Sequence, residues 1–131
     1  MAREKGTAPR RSSSSPRVSL LHRWFQAYLL TILLETPVVV RLLRGHTETR
    51  TAVELSVLAS SLTHPLLWFA WRPLIDDHTT YVLTGEALVM LAETCVYRKV
   101  TTWRRAFAVS VVANCTSWAL GYLILYTGIG T

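Results

Sequence analysis

Cysteine is scarce in this sequence, charge is confined to a few short stretches, and the familiar catalytic signatures are missing. Each shortage removes a class of protein. The two cysteines, Cys95 and Cys115, both fall within apolar segments and supply no disulfide framework. Their depths in those segments differ by about seven residues, roughly 10 Å of helix, which is too far for mutual bridging. No His-Glu-x-x-His pair and no Glu-x-x-His spacing occurs, and Ser60 and Ser61 lack the glycine-flanked setting of a nucleophile elbow. No RNA- or DNA-binding motif accompanies the net charge of +6, so no nucleic-acid partner is expected. With 17% charged residues against 50% hydrophobic, the chain has too little polar surface for a soluble globule of 131 residues.

Apolar length is what the chain does have. A helix crosses a bilayer core of about 30 Å with roughly 20 residues at 1.5 Å each. Four stretches meet that length: about Trp24 to Arg44, Ala52 to Arg72, Thr79 to Arg98 and Arg105 to Tyr126. Their apolar residues lie all round, without the polar stripe of a soluble helix. The connections Gly45 to Thr51, Pro73 to His78 and Lys99 to Arg104 are short, which forces antiparallel neighbours. The sequence therefore predicts an all-α integral membrane protein, a four-helix up-down-up-down bundle in contact with lipid. Residues 24–131 form this domain, with spans at 24–44, 52–72, 79–98 and 105–126. Residues 1–23 read as a disordered basic tail, because Arg10 to Pro16 has the composition of a flexible segment. The triplet Asp76-Asp77-His78 reads as a solvated cap before the third helix.

Basic residues precede the first span, but no small-residue cleavage site follows it. Glu35 and Arg41 also interrupt the apolar run a signal peptide needs, so the segment reads as a retained helix. Aromatic residues group toward two levels, as interfacial belts do: Trp24, Phe25, Tyr28, Trp68, Phe69, Trp71, Tyr81, Tyr122 and Tyr126 at one, Tyr97, Trp103 and Phe107 at the other. Arg3, Lys5, Arg10, Arg11, Arg17 and Arg23 precede the first span, while Arg44, Arg50, Lys99 and Arg104 occupy the opposite connections. A basic tail resists translocation, so the sequence favours the cell (inner) membrane with both termini cytoplasmic.

The informative side chains are Glu35, His64, Glu86, Glu93 and Asn114. An ionisable group near the bilayer centre costs at least about 2.5 kcal/mol on insertion scales, so such groups usually face the bundle interior and mark function. Counted from the side of the first and third connections, Glu93 lies roughly 8 Å deep, Glu35 and Asn114 roughly 14 Å, and His64 and Glu86 roughly 18 Å. Glu86 and Glu93 share one face of their helix, and Ser110, Asn114, Ser117 and Gly121 make a small, polar face on the fourth. Pro37 and Pro65 follow Glu35 and His64 closely. As helix kinks they would free the carbonyls of Leu33 and Ser61 near this layer.

These residues predict an ion- or proton-binding site and a transport or ion-coupled role. No cofactor is implied with certainty. A divalent metal cation held by His64, Glu86 and Glu35 is the candidate that imidazole and carboxylate ligands suit. A single glutamate in the first of four helices resembles, in plan, the small multidrug resistance transporters. The residues around Glu35 depart from that family's pattern, and the plan does not account for His64, Glu86 or Glu93. The alternatives are a non-catalytic accessory or assembly subunit of a membrane complex, and an intramembrane metal-dependent hydrolase with Glu86 or Glu93 as general base. A narrow four-helix bundle also suggests a homodimer or larger membrane complex, with Gly121 and the serines of the fourth helix as contacts.

Overall fold

The computed structural model describes residues 16–127. It is all-α: α1 (Pro16–Leu42), α2 (Thr49–Pro65), α3 (His78–Tyr97) and α4 (Trp103–Thr127), with no strand among the described residues. The expected tail boundary moves, because α1 begins at Pro16 rather than Trp24. Proline suits a first helical turn, where its missing N–H would have had no partner. Residues 1–15 and 128–131 lie outside the described part.

Two of the four expected spans, Ser19–Leu42 in α1 and Trp103–Ile124 in α4, are long and apolar enough to cross a bilayer. The other two fall short of that measure for identifiable reasons. In α2 the regular helix stops after 17 residues at Pro65. In α3 two glutamates and several threonines dilute the apolar run.

The two prolines behave differently. α1 runs unbroken through Pro37, so no break in the helix accompanies it. Pro65 ends α2, and the chain continues as a π-helical turn over Leu66–Trp71, where Arg72 N–H reaches back to Leu67 O, then a 3₁₀ turn over Arg72–Leu74. Proline cannot donate to the carbonyl four residues back, and a wider turn is one way the ladder accommodates the loss. The π-turn packs closely on α3: a Cβ added at Gly85 would clash with Leu67 Cδ1.

Contacts arrange the helices as a ring, α1 against α2 and α4, and α3 against α2 and α4. Hydrogen bonds linking Ser60 to Glu35 and Thr36 with Ser56 run α1 and α2 in opposite directions. Those donated by Ser117 to Glu35 and by Arg105 to Leu42 O do the same for α1 and α4. Small residues let the backbones approach: α2 buries Ala52, Ser56, Ala59 and Ser60, and α4 buries Ala106, Ser110 and Ala113. Larger chains from α1 and α3, namely Val39, Leu43 and Tyr97, fill the space between.

Packing is uneven along the ring. The main apolar cluster lies toward the end carrying the first and third connections, with Tyr81 buried apart from it near the start of α3. In α1 nothing is buried among residues 19–34, and in α4 nothing among residues 115–124. The bundle is thus closed at one end and splayed along its α1–α4 side at the other, where α2 and α3 still bury Thr63, Tyr81 and Gly85, and the change falls at the level of Glu35 and Asn114.

The ends of the helices are held locally. After α1 the chain turns through Gly45 at φ 83°, a conformation that penalises any Cβ. Gly45→Ala should lower stability by about 1 kcal/mol, with no steric contribution because nothing lies within 4 Å of the added carbon. Denaturant titration in detergent checks this. Arg105 Nη2 donates to Leu42 O at 3.0 Å, tying the start of α4 to the last turn of α1.

Asp77 caps α3, its Oδ2 accepting from Thr80 N–H at 2.7 Å, as the triplet's cap reading anticipates. That bond holds the Asp77 carboxyl below its ordinary value. A depressed folded pKa means the cap contributes fully above the unfolded carboxylate pKa of about 4, and fades as pH falls through the lower folded value. The Thr80 amide NMR shift should therefore titrate only in that acidic window, and Asp77→Ala should abolish the transition.

Candidate functional site

The interior of this bundle is unusually polar for its size. Among the described residues eight buried side chains are polar or charged against nine buried hydrophobic ones, while leucines and aromatics stand exposed on every helix. In water such a distribution would be inverted, because burial of apolar surface drives folding there. It suits a chain whose outer surface meets hydrocarbon.

Two carboxyls lie at the centre of that interior. Glu35, 1% exposed, projects from α1 between α2 and α4. Ser60 Oγ donates to its Oε2 at 3.2 Å and Ser117 Oγ to its Oε1 at 2.8 Å. Glu93, also 1% exposed, projects from α3 toward α4. Its Oε2 accepts from Ser110 Oγ at 3.1 Å and from Asn114 Nδ2 at 2.5 Å. The face of α4 joins the two halves, since Ser117 Oγ also reaches Asn114 O at 3.1 Å.

Each hydroxyl beside a carboxyl has a second, backbone acceptor within reach. Ser60 Oγ lies 3.1 Å from Ser56 O, and Ser117 Oγ the same distance from Asn114 O. Ser110 Oγ is 3.0 Å from Met90 O across the α3–α4 interface. A hydroxyl carries one proton and accepts at its lone pairs. It can donate to a carboxylate, or turn to the backbone carbonyl and accept from the neutral acid. The heavy atoms therefore accommodate both protonation states without moving.

Counter-charge is missing. The only ion pair among the described residues is Arg50–Glu54 at 2.8 Å, at the exposed start of α2. Nothing cationic pairs with Glu35 or Glu93, although a buried carboxylate without a partner is costly.

The remaining predicted residues are placed apart. His64 is half-buried, and its Nε2 lies 2.9 Å from Thr31 Oγ1 across the α1–α2 seam. Glu86 is half-buried in a cleft of about 390 Å³ between α3 and α4, with Asn114 and Cys115 on the same walls. The structure thus gathers Glu35, Glu93 and Asn114 and leaves His64 and Glu86 to either side. No group of three or more His, Cys, Asp or Glu suited to a metal occurs among the described residues. The expected ligand set His64, Glu86 and Glu35 is not assembled, because His64 turns to Thr31 while Glu35 is held by serines.

A cleft of about 670 Å³ opens between α1 and α4 on the splayed side, lined by Arg23, Gln26, Thr31, Trp68, Ser117 and Tyr122 among others. Ser117 is the wall residue that hydrogen-bonds Glu35, so the cleft ends one hydroxyl away from the carboxyl. Ser60, Ser110 and Ser117 are site residues that the search for ionisable groups overlooks. Their signal was present in α4, where small and polar positions recur on one face.

No protein-family profile matches this chain, and no curated protein or solved structure does so either.

Proposed function

We infer that this chain is an integral membrane protein, an up-down-up-down bundle of four membrane-embedded helices that takes up and releases a proton or a small cation at Glu35 and Glu93. The observation that carries the reading is the pair of fully buried carboxyls that meet only neutral donors. Such a pair must either hold protons or be balanced by an arriving cation, and exchange between those states is the elementary step of ion-coupled transport. The splayed end supports it, since it gives the site an approach from one face while Val39, Leu43 and Tyr97 seal the other. We place the protein in the cell membrane, with the tail and the splayed end toward the cytoplasm because of the basic residues before α1.

The test is proton release. When the full chain in detergent is given a series of monovalent and divalent cations at fixed pH, the active one should displace protons measurable with a pH dye, and Glu35→Gln should abolish the signal. Elemental analysis of the purified protein separates the two forms of the idea. A stoichiometric metal that disappears in Glu35→Gln selects metal handling. No metal, together with a carboxyl that titrates, selects proton handling. Absence of proton release, of bound metal and of a titrating carboxyl would overturn the reading.

A second reading, an accessory subunit of a membrane complex, draws on Gly121. Gly121 lines the α1–α4 cleft beside the stacked Trp118 and Tyr122, and a Cβ added there would meet nothing within 4 Å. Under that reading Gly121→Leu should release a co-purifying partner.

A further inference from the structure

The half of the α1–α2 seam beyond Glu35 carries a second polar series that the carboxyl layer does not use. Tyr28 Oη pairs with Ser61 Oγ at 2.7 Å, and His64 Nε2 pairs with Thr31 Oγ1 at 2.9 Å. One helical turn further in, Glu35 pairs with Ser60. Thr31 and Glu35 are four residues apart on α1, as are Ser60 and His64 on α2, so the His64–Thr31 rung and the Glu35–Ser60 rung stand one above the other. The separation is about 6 Å, a step that one bridging water spans. Thr31 also lines the α1–α4 cleft, which places the rung at the edge of the space open to the splayed end. The cleft walls are otherwise mostly apolar, Leu30, Leu34 and Trp118 among them.

His64 is unusual within this series. Its Nδ1 is buried and has no hydrogen-bond partner, while its Nε2 is committed to Thr31. The ring stands edge-on to Tyr28, which also stacks on Trp24 and tilts against Phe25. Facing it from α1 are Tyr28 and Thr31, and among the described residues no charged group from any element lies close enough to act on it. An imidazole with one nitrogen spoken for by a hydroxyl and the other unengaged is the arrangement a proton carrier requires, because it takes a proton at one nitrogen and gives one up at the other.

We propose that the α1–α2 seam is the path by which protons reach Glu35, with His64 as the intermediate carrier. This rests on the reading of Glu35 as an exchanging carboxyl and names its coupling ion as the proton. A proton arriving at Nδ1 makes the imidazolium, and the proton on Nε2 then passes to the Thr31 hydroxyl. Thr31 gives its own proton, through the bridging water, to the Glu35 carboxylate, which becomes the neutral acid. The imidazole is left neutral with its proton on Nδ1, and the starting tautomer returns by a flip of the ring, or by loss of that proton to water together with uptake of another at Nε2. One proton enters and one carboxylate is neutralised; no other bond changes.

The experiment is a pH drop on the full chain in lipid nanodiscs, with infrared detection of carboxyl protonation and the Glu35 band assigned by its loss in Glu35→Gln. His64→Ala and Thr31→Val should each slow the growth of that band by roughly a hundredfold while leaving its final amplitude unchanged. Added imidazole should restore the rate in His64→Ala alone. Thr31→Val keeps the side-chain shape, so the test survives if His64→Ala fails to fold. Full-speed protonation in both variants would overturn the path and show that protons reach Glu35 directly by way of Ser117. A reduced amplitude at unchanged rate would do the same, since it marks a structural role. If no band is lost in Glu35→Gln, the reading of Glu35 itself fails, an outcome distinguishable from the other two.

Discussion

Glu35→Gln should reduce ion-coupled activity to background while the bundle stays folded. The two halves of that expectation have separate causes. Function fails because an amide neither releases a proton nor balances a cation, so the exchange step is removed rather than slowed. Structure survives because the surroundings tolerate a group that both donates and accepts. A carboxylate accepts from both Ser60 and Ser117, whereas glutamine offers one acceptor and one donor atom. One serine must then turn away and accept from the amide, and each has a backbone carbonyl at 3.1 Å to receive its proton. The cost should stay under about 1 kcal/mol, the size of one exchanged neutral hydrogen bond. Thermal unfolding in detergent and flux into vesicles from the same preparation decide the matter. Lost flux with a melting temperature several degrees lower would mean that Glu35 is structural.

Why the carboxyl layer was visible in the sequence, and its geometry was not, follows from what depth counting measures. Position along a helix is set by residue number, so Glu35 and Asn114 could be assigned one level from the lengths of the apolar runs alone. Rotation about the helix axis depends on which faces pack, and that is decided by the whole ring. His64 shows the difference: its computed depth is close to that of Glu86, yet it faces Thr31 across a different seam. The start of α1 was misplaced because serine-rich composition argues against helix, while Pro16 at a first turn argues for it. Pro65 was legible as a disruption, though its resolution into a π-turn was not. Nothing local dictates whether a freed carbonyl is met by a kink or a wider turn. The sequence shows Ser110 and Ser117 on a small, polar face but not that they and Ser60 serve the carboxyls, for a chemical reason. A hydroxyl in an apolar helix is ordinarily satisfied by its own backbone, as Ser61 is by Val57 O, and only packing reveals which of them also face a carboxyl.

Asn114→Leu should be the most destabilising single substitution in the bundle, costing on the order of 3 kcal/mol. Asn114 supplies Glu93 with its closest hydrogen bond and shares Ser110 with it. Leucine is near in volume, so the loss is not one of packing. Glu93, 1% exposed and without a cationic neighbour, would be left with the Ser110 hydroxyl alone. A buried polar group stripped of a partner loses more than the net worth of the bond, because the solvation it gave up on burial is no longer offset. The double variant Glu93→Met with Asn114→Leu removes donor and acceptor together, and it should recover most of the stability lost in the single variant. The double-mutant cycle would then return a coupling of about 2 kcal/mol between the two side chains. Flux should not recover with stability, since the second carboxyl is gone. A doubly substituted protein that is stable yet fully active would remove Glu93 from the site and leave Glu35 to act alone.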